Sequence, residues 1–421
     1  MNYQIDYIRS QFPALNRTVN GFPAIYFDGP GGTQAPQRVI DKMVDYLQNH
    51  NANTHGEFAT SRETDEILLN AKKTFADFFG CAWNEVSFCH NSTTINFKLA
   101  QAIGRSLAPG DEIIITDMDH EANRGPWEAL AERGMVIKNV RMNPAACTLD
   151  IQDFQDKLSA RTRVVAFNYA SNALGTISDA KEMIRLAKQV KALTVVDAVH
   201  FALHGVIDVR EIGADFLFCS AYKFFGPHVG VLFGAYDVMD RLNTLRVSTQ
   251  ESVPPWKFET GTLNQEGIAG AAEAVDFIAD IGATHRENFT DRMPDCSERR
   301  KNIIRGMRTV EAYEQPLAQY FKDELARING LKIYSPPKDH PCTSTISFRL
   351  KDVHPNRVAV LLGERGIFVW DGHFYAAQIV KSLGLEESGG LVRIGLAPYS
   401  TREEIDRALA EIAAIASGQR A

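Results

Sequence analysis

Six short apolar runs recur along this chain, and they restrict its fold more than any other feature. They are Glu112-Ile113-Ile114-Ile115-Thr116, Val136-Ile137-Lys138-Asn139-Val140, Arg163-Val164-Val165-Ala166-Phe167, Thr194-Val195-Val196, Phe216-Leu217-Phe218 and Gly230-Val231-Leu232-Phe233. A strand with one wet face alternates apolar and polar residues. Runs without that alternation fit strands buried on both faces, as in a mainly parallel sheet covered by helices. Helical spacing is present between them: Ile67, Leu68, Ala71, Phe75 and Phe78 share one face of a helix expected from Asp65 to Phe79. Further helices are expected from Trp127 to Arg133 and from Ala180 to Lys191. The expected class is therefore α/β. Ligands of such sheets sit beyond the carboxyl ends of the strands, so the residues that follow each run carry the functional signal.

Two of those residues belong together chemically. Asp197 closes the run Leu193-Thr194-Val195-Val196, and Lys223 follows Phe216–Cys219 within Ser220-Ala221-Tyr222-Lys223-Phe224-Phe225-Gly226-Pro227. A lysine after a strand is ordinarily solvated. Here Cys219, Tyr222, Phe224 and Phe225 surround it with apolar bulk, which favours the neutral, nucleophilic amine. A carboxylate at a buried strand end requires a cation or hydrogen-bond donors. An amine and a carboxylate at neighbouring strand ends are what holding pyridoxal phosphate requires. The amine forms a Schiff base with the aldehyde, and the carboxylate keeps the pyridine nitrogen protonated.

Other strand ends add to this pair. His200 and His204 follow Asp197; the first could stack beside or hydrogen-bond the same ligand, and the second reads as a core histidine. Asn91-Ser92-Thr93-Thr94 opens a helical segment, where hydroxyls and free N–H groups form a phosphate site or simply cap the helix. His120, in Asp117-Met118-Asp119-His120-Glu121-Ala122-Asn123, could stack on a planar cofactor and pass protons. Arg393, in Val392-Arg393-Ile394-Gly395-Leu396, could clamp a carboxylate or face solvent as a surface strand residue. Gly29-Pro30-Gly31-Gly32 matches no phosphate-loop signature and is read as a close-packed loop.

Composition excludes several classes. With 45 Lys+Arg against 52 Asp+Glu the net charge is −7, which disfavours a nucleic-acid or anionic-membrane surface. There is no signal-peptide pattern in residues 1–6 and no long apolar run, so a cytoplasmic protein without a membrane span is expected. Cys81, Cys89, Cys147, Cys219, Cys296 and Cys342 are scattered without metal-binding spacing and read as reduced thiols. No metal site is expected; His120-Glu121 lacks the second histidine of a metalloprotease helix. At 421 residues the chain has room for two or three domains. Beyond about residue 290 its character changes. Arg286 to Arg308 is charge-rich and reads as an exposed loop-helix segment. It is followed by a helix around Leu317 to Ile328, strands near Thr345 to Leu350 and Leu391 to Leu396, and a helix from Arg402 to Ala416 opened by a Thr401/Glu404 capping box. The expected division is a large cofactor-binding domain, 18–290, and a smaller α+β domain from 1–17 and 291–421.

Taken in order, these motifs resemble the class V aminotransferase superfamily of fold-type I pyridoxal-phosphate enzymes, within it cysteine desulfurases and selenocysteine lyases of the second group. The similarity runs from Asn20-Gly21-Phe22-Pro23 almost to the C-terminus. Ser220–Pro227 resembles the family's Ser-Gly-His-Lys-x-x-Gly-Pro signature, with Tyr222 in place of its histidine. Asp119–Asn123 with Pro126-Trp127, Ser171–Thr176 and Phe258–Thr262 match as well. The resemblance implies a large domain with a seven-stranded-type, mainly parallel sheet, and a smaller α+β C-terminal domain. It implies that Lys223 carries the cofactor, His120 stacks on its ring and Asp197 pairs with the ring nitrogen. His200 and Asn172 would lie near the ring hydroxyl or substrate, and Ser92 or Thr93, Ser220 and Tyr222 would hold the phosphate. Thr262 would reach the phosphate of the other subunit in a homodimer with shared active sites. Arg393 would take the carboxylate of a small amino-acid substrate.

One departure bears on the reaction. The family's catalytic cysteine stands in a loop Arg-x-Gly-His-x-Cys, whereas this chain reads Trp370-Asp371-Gly372-His373-Phe374-Tyr375. Tyrosine cannot accept sulfur as a persulfide, which needs a thiolate. Cys342 precedes a strand rather than occupying this loop. His200 replaces a glutamine common in desulfurases and is more like kynureninases and isopenicillin N epimerases. The expected activity is therefore a C–S or C–Se β-lyase that forms no persulfide, with transamination and epimerisation as alternatives that share the initial removal of the Cα proton.

Overall fold

The computed structural model describes residues 3–289 and 293–419. Its centre is a seven-stranded sheet of β1 (Val86–Cys89), β2 (Glu112–Thr116), β3 (Val136–Val140), β4 (Thr162–Asn168), β5 (Leu193–Asp197), β6 (Phe216–Ser220) and β7 (Gly230–Gly234). The spatial order is β1-β7-β6-β5-β4-β2-β3. Pairings among β2 to β6 are parallel, and β7 runs antiparallel to both β6 and β1. The expected mainly parallel sheet is present.

Apart from the edge strand β3, where Val136 is exposed, the apolar runs are continuous because both faces of these strands are covered. Ile114, Val165, Val196 and Leu217 enter one core, while Ile113, Ile115, Val164, Ala166, Val195, Phe216 and Phe218 enter the other. Successive side chains thus serve opposite faces of one sheet, each worth about 1.5–3 kcal/mol when fully buried. Helices α1 (Ala59–Phe79), α2 (Ser92–Gly104), α3 (Glu121–Glu128), α4 (Ala180–Gln189) and α5 (Gln265–Thr284) cover it. Helix α3 starts six residues ahead of the expected 127–133 stretch, whose latter part, Ala129–Arg133, is 3₁₀. The earlier start follows from His120, whose Nδ1 accepts the Ala122 N–H at 3.0 Å and caps the helix.

The charge-rich stretch departs most from expectation. Residues 290–292 within it lie outside the described residues. From Glu298 it forms one 28-residue helix, α6 (Glu298–Leu325), rather than an exposed segment followed by a separate helix at 317–328. Its basic residues hide an apolar stripe: Ile303, Met307 and Val310 are buried at helical spacing. Arg300 is buried too, donating to Phe78 O and Ile207 O, both at 2.8 Å. Helices α5 and α6 approach so closely that a Cβ on Gly306 would lie 2.1 Å from Ile278 O.

The farther half of α6 enters a second core, where Ala318, Phe321 and Leu325 meet Ile25, Phe27, Ile346 and Ile394. That core covers a four-stranded antiparallel sheet of β8 (Leu331–Tyr334), β9 (Thr345–Leu350), β10 (Trp370–Gly372) and β11 (Leu391–Gly395), ordered β8-β9-β11-β10. Helices α7 (Pro355–Gly363) and α8 (Arg402–Ala416) complete it. The Thr401/Glu404 capping box is formed, with Thr401 N donating to Glu404 at 3.0 Å and Glu404 N to Thr401 at 3.3 Å. Among the described residues no helix is long and apolar enough to cross a membrane.

Candidate active site

Strands β2, β4, β5 and β6 deliver their last residues to one edge of the sheet, where the register sets Asp197 beside Asn168 on one side and Phe218 on the other. A cavity opens there. Of the residues singled out in the sequence, Ser92, Thr93, His120, Asn172, Asp197, His200, Tyr222 and Lys223 all line it. Ser220 is fully buried beneath the lining residue Ser92 rather than in the lining itself, its Oγ accepting the Ser92 N–H at 3.2 Å. Arg393 reaches it from the second lobe, donating to Asn172 O at 2.9 Å. Thr262 does not belong to this cavity; it lines a separate one with Lys72, Trp83, Trp256 and Gln265.

Lys223 sits in the turn between β6 and β7, donating to the Pro30 carbonyl and lying 4.9 Å from the Tyr222 ring centroid. Burial pulls its amine down to about 7, and Arg393 adds to that; Asp197 and Asp28 act against it. Asp197 moves the other way: burial raises its carboxyl to about 7, although the Val199 N–H, at 2.9 Å, favours the anion. The buried amine and the buried acid are thus both near the point where proton exchange is easy at neutral pH.

His120 accepts at Nδ1 from the α3 backbone, so its hydrogen is on Nε2 when the ring is neutral. Burial, helped by the Lys223 and Arg393 charges, lowers it to about 4, so at pH 7 it offers an uncharged flat ring. Burial likewise holds His200 well below the ordinary imidazole range. Helix α2 opens at Ser92 with Asn91 capping Thr94 N at 2.9 Å and Ser220 Oγ taking the Ser92 N–H, so among the first three N–H groups that of Thr93 is the one left to a ligand. His204 is buried against Glu314, as a core histidine should be.

Several participants escaped the sequence reading. Asn168 lines the cavity with an unpartnered Oδ1. It follows a strand run just as Asp197 does, so the same rule would have found it. Asp28 has a buried, unpartnered Oδ1; burial raises its carboxyl to about 6 against the pull of Arg393 and Lys223. The Gly29–Gly32 loop is more than close-packed, because its Pro30 carbonyl holds the Lys223 amine. Thr343 and Thr345 bond His200 at 3.2 and 2.9 Å, a pairing across the two lobes that local sequence does not signal.

The loop after β10 packs against Asn172 and His120 of the cavity lining. Phe374 and Tyr375 have φ of 55° and 57°, a left-handed pair that non-glycine residues rarely adopt. Their carbonyls are clamped: Asn172 Nδ2 donates to Phe374 O at 2.9 Å and Glu121 N to Tyr375 O at 2.7 Å. Phe374 lies beneath the Arg393 guanidinium, 4.4 Å from ring centroid to Cζ. Tyr375 is 68% exposed with its ring 5.6 Å from that of His120, and so stands at the mouth. No cysteine lines the cavity. Cys342 is elsewhere, its Sγ accepting from Lys322 at 3.4 Å.

An amine of lowered pKa, a carboxylate, a neutral flat imidazole and an open helix start share one cavity. Asn168 Oδ1, Asn172 Oδ1 and Arg393 Nε are buried there or beside it without partners among the described residues. Such a donor set could hold a protonated heteroaromatic ring bearing an aldehyde and a phosphate, together with the carboxylate of an amino acid.

Comparison with known proteins agrees with this chemistry. The family described as Aminotransferase class-V matches residues 25–300 and 302–408. A cysteine desulfurase of Pectobacterium carotovorum subsp. carotovorum (strain PC1) is 32% identical over 429 residues, covering 97% of each chain. A probable cysteine desulfurase of Halalkalibacterium halodurans is 32% identical over 425 residues, 95% of each. Among solved structures, a cysteine desulfurase from Thermococcus onnurineus NA1 superimposes with a TM-score of 0.87 at 26% identity, covering 99% of both chains.

Proposed function

The chain belongs to the class-V aminotransferase family of pyridoxal-phosphate-dependent enzymes, and from that premise we propose that it is a desulfurase-like C–S or C–Se β-lyase that forms no persulfide. The carrying observation is the wall of the site. Tyr375, its ring 5.6 Å from that of His120, occupies the position that the motif resemblance gives to the family's thiol, and among the described residues no cysteine lines the cavity.

Pyridoxal phosphate, when bound, supplies a conjugated electron sink beside the substrate Cα. Lys223 is the amine that anchors it and, once freed, the base that takes the Cα proton at Nζ; its lowered pKa keeps that nitrogen able to accept. Asp197 would hold a proton at the ring nitrogen. His120 would cover one ring face without adding charge. The Ser92 and Thr93 end of α2, with Ser220 and Tyr222, would hold the phosphate, joined by Thr262 from a second copy of this chain in a homodimer. His200 and Asn172 lie toward the ring hydroxyl or substrate. Arg393, braced on Phe374, receives the substrate carboxylate. The Cβ–S bond then breaks with its electron pair going to sulfur, and sulfide leaves. The residual three-carbon unit takes up water to give pyruvate and ammonia.

A panel of small amino acids tests this. Sulfide and pyruvate should appear in equal amounts from cysteine or a related amino acid, with no sulfur retained on the protein. Accumulation of the amine form of the cofactor would indicate transamination, and inversion at Cα epimerisation. Retained protein sulfur that vanishes on Cys342→Ala would restore a persulfide route. Conversely, with Tyr375→Cys the new thiolate is expected to attack the substrate sulfur, the C–S electron pair staying on carbon, so that the protein gains a sulfur detectable as a mass increase at residue 375 and alanine replaces pyruvate as the product.

A further inference from the structure

Behind the part of the cavity wall made by His200, six buried polar side chains close on one another: His200, His204, Glu314, Thr343, Ser344 and Thr345. The first two follow β5, Glu314 lies on α6, and the last three lead into β9. Thr343 donates to Thr345 at 3.1 Å. His200 Nε2 lies 3.2 Å from Thr343 Oγ1 and 2.9 Å from Thr345 Oγ1, so the two hydroxyls together fix the ring through that nitrogen. Among the described residues nothing bonds Nδ1, so it is the nitrogen left to a ligand in the cavity.

Ser344, between the two threonines, donates to Glu314 Oε2 at 2.8 Å, and the same oxygen faces His204 Nδ1 at 3.1 Å. The His204 ring lies 5.0 Å from that of His200. Glu314 is 1% exposed, and its second oxygen, Oε1, is buried without a partner. A carboxylate kept there with acceptor capacity unused is unfavourable for the fold, and a well-packed apolar residue would serve packing better. The segment it grips continues into the strand beside the clamp, since Thr345 pairs with Gly395 and Ser347 with Arg393.

We propose that Glu314 is a positioning residue: through His204 and Ser344 it fixes residues 343–345, so that His200 presents Nδ1 to the ligand while Arg393 is held in register with it. This rests on the reading that the cavity holds the cofactor and its amino acid. Besides His204, the ionisable groups facing Glu314 are Tyr3, Tyr313, Glu311 and Tyr399; those facing His200 are His204, Lys223 and Arg393.

The test uses holoprotein carrying Glu314→Gln, which keeps shape and removes charge, and Thr345→Val, which keeps shape and removes the hydroxyl. Each should move the pH midpoint of the near-visible absorption band by about 0.5 unit or more and weaken L-cysteine binding, read from that band, roughly fivefold. A merely structural role would lower the melting temperature and leave both readouts in place. Midpoints within about 0.2 unit of the unsubstituted protein, with unchanged L-cysteine binding, would overturn the proposal. If Glu314→Gln does not fold, Thr345→Val alone decides. Absence of a Lys223-dependent band from the unsubstituted protein is a different result, one that counts against the proposed function itself.

Discussion

Asp197→Asn is expected to lower turnover about 10²–10⁴-fold while making the cofactor-free protein more stable at pH 8. Both effects come from one buried carboxyl. With its folded-state pKa raised from 3.8 to about 7, the native protein holds a proton there that the unfolded chain gives up near pH 4. Stability from this group is therefore full below about pH 4 and is lost as pH rises through about 7. At pH 8 the native state contains a buried carboxylate opposed chiefly by desolvation, and the amide removes that penalty, a gain on the order of 1–3 kcal/mol. At pH 4 the gain should disappear. Bound cofactor supplies the cation the anion lacks, so the ordering should reverse in holoprotein. Thermal melts of both proteins at pH 4 and 8, with and without pyridoxal phosphate, measure this. A destabilised Asp197→Asn apoprotein at pH 8 would contradict the account.

Lys223→Ala should have the larger effect on activity, about 10⁴-fold or more, because it removes the anchoring amine and the base together. The near-visible band should be lost. With amino acid added, the cofactor should bind it and stop before the Cα proton moves. Among the described residues the amine bonds the Pro30 carbonyl and is in no ion pair, so the fold should survive truncation. Turnover near that of the unsubstituted protein would mean another group performs the proton transfer.

How much of this was legible in the sequence follows from the distance over which each signal acts. The large sheet could be read because two-faced burial writes itself into consecutive residues such as Ile113-Ile114-Ile115. Lys223, Asp197 and His120 were found because each ends or follows such a run. The bounds of α8 were read to the residue from a four-residue capping box. Helix α6 was divided wrongly because Arg299-Arg300-Lys301 suggested solvent. What buries Arg300 are carbonyls of Phe78 and Ile207, more than 90 positions away in sequence. Asp28, Pro30 and the Thr343/Thr345 pair were missed for the same reason. Each acts on residues from the other lobe, and no local pattern encodes a contact formed only when two sheets meet.

The most direct test of the central claim is chemical mapping of the amine. Holoprotein reduced with borohydride, digested and sequenced by mass spectrometry should carry one pyridoxyl phosphate adduct, on Lys223. An adduct on a different lysine, or none from protein that is active with pyridoxal phosphate, would contradict it.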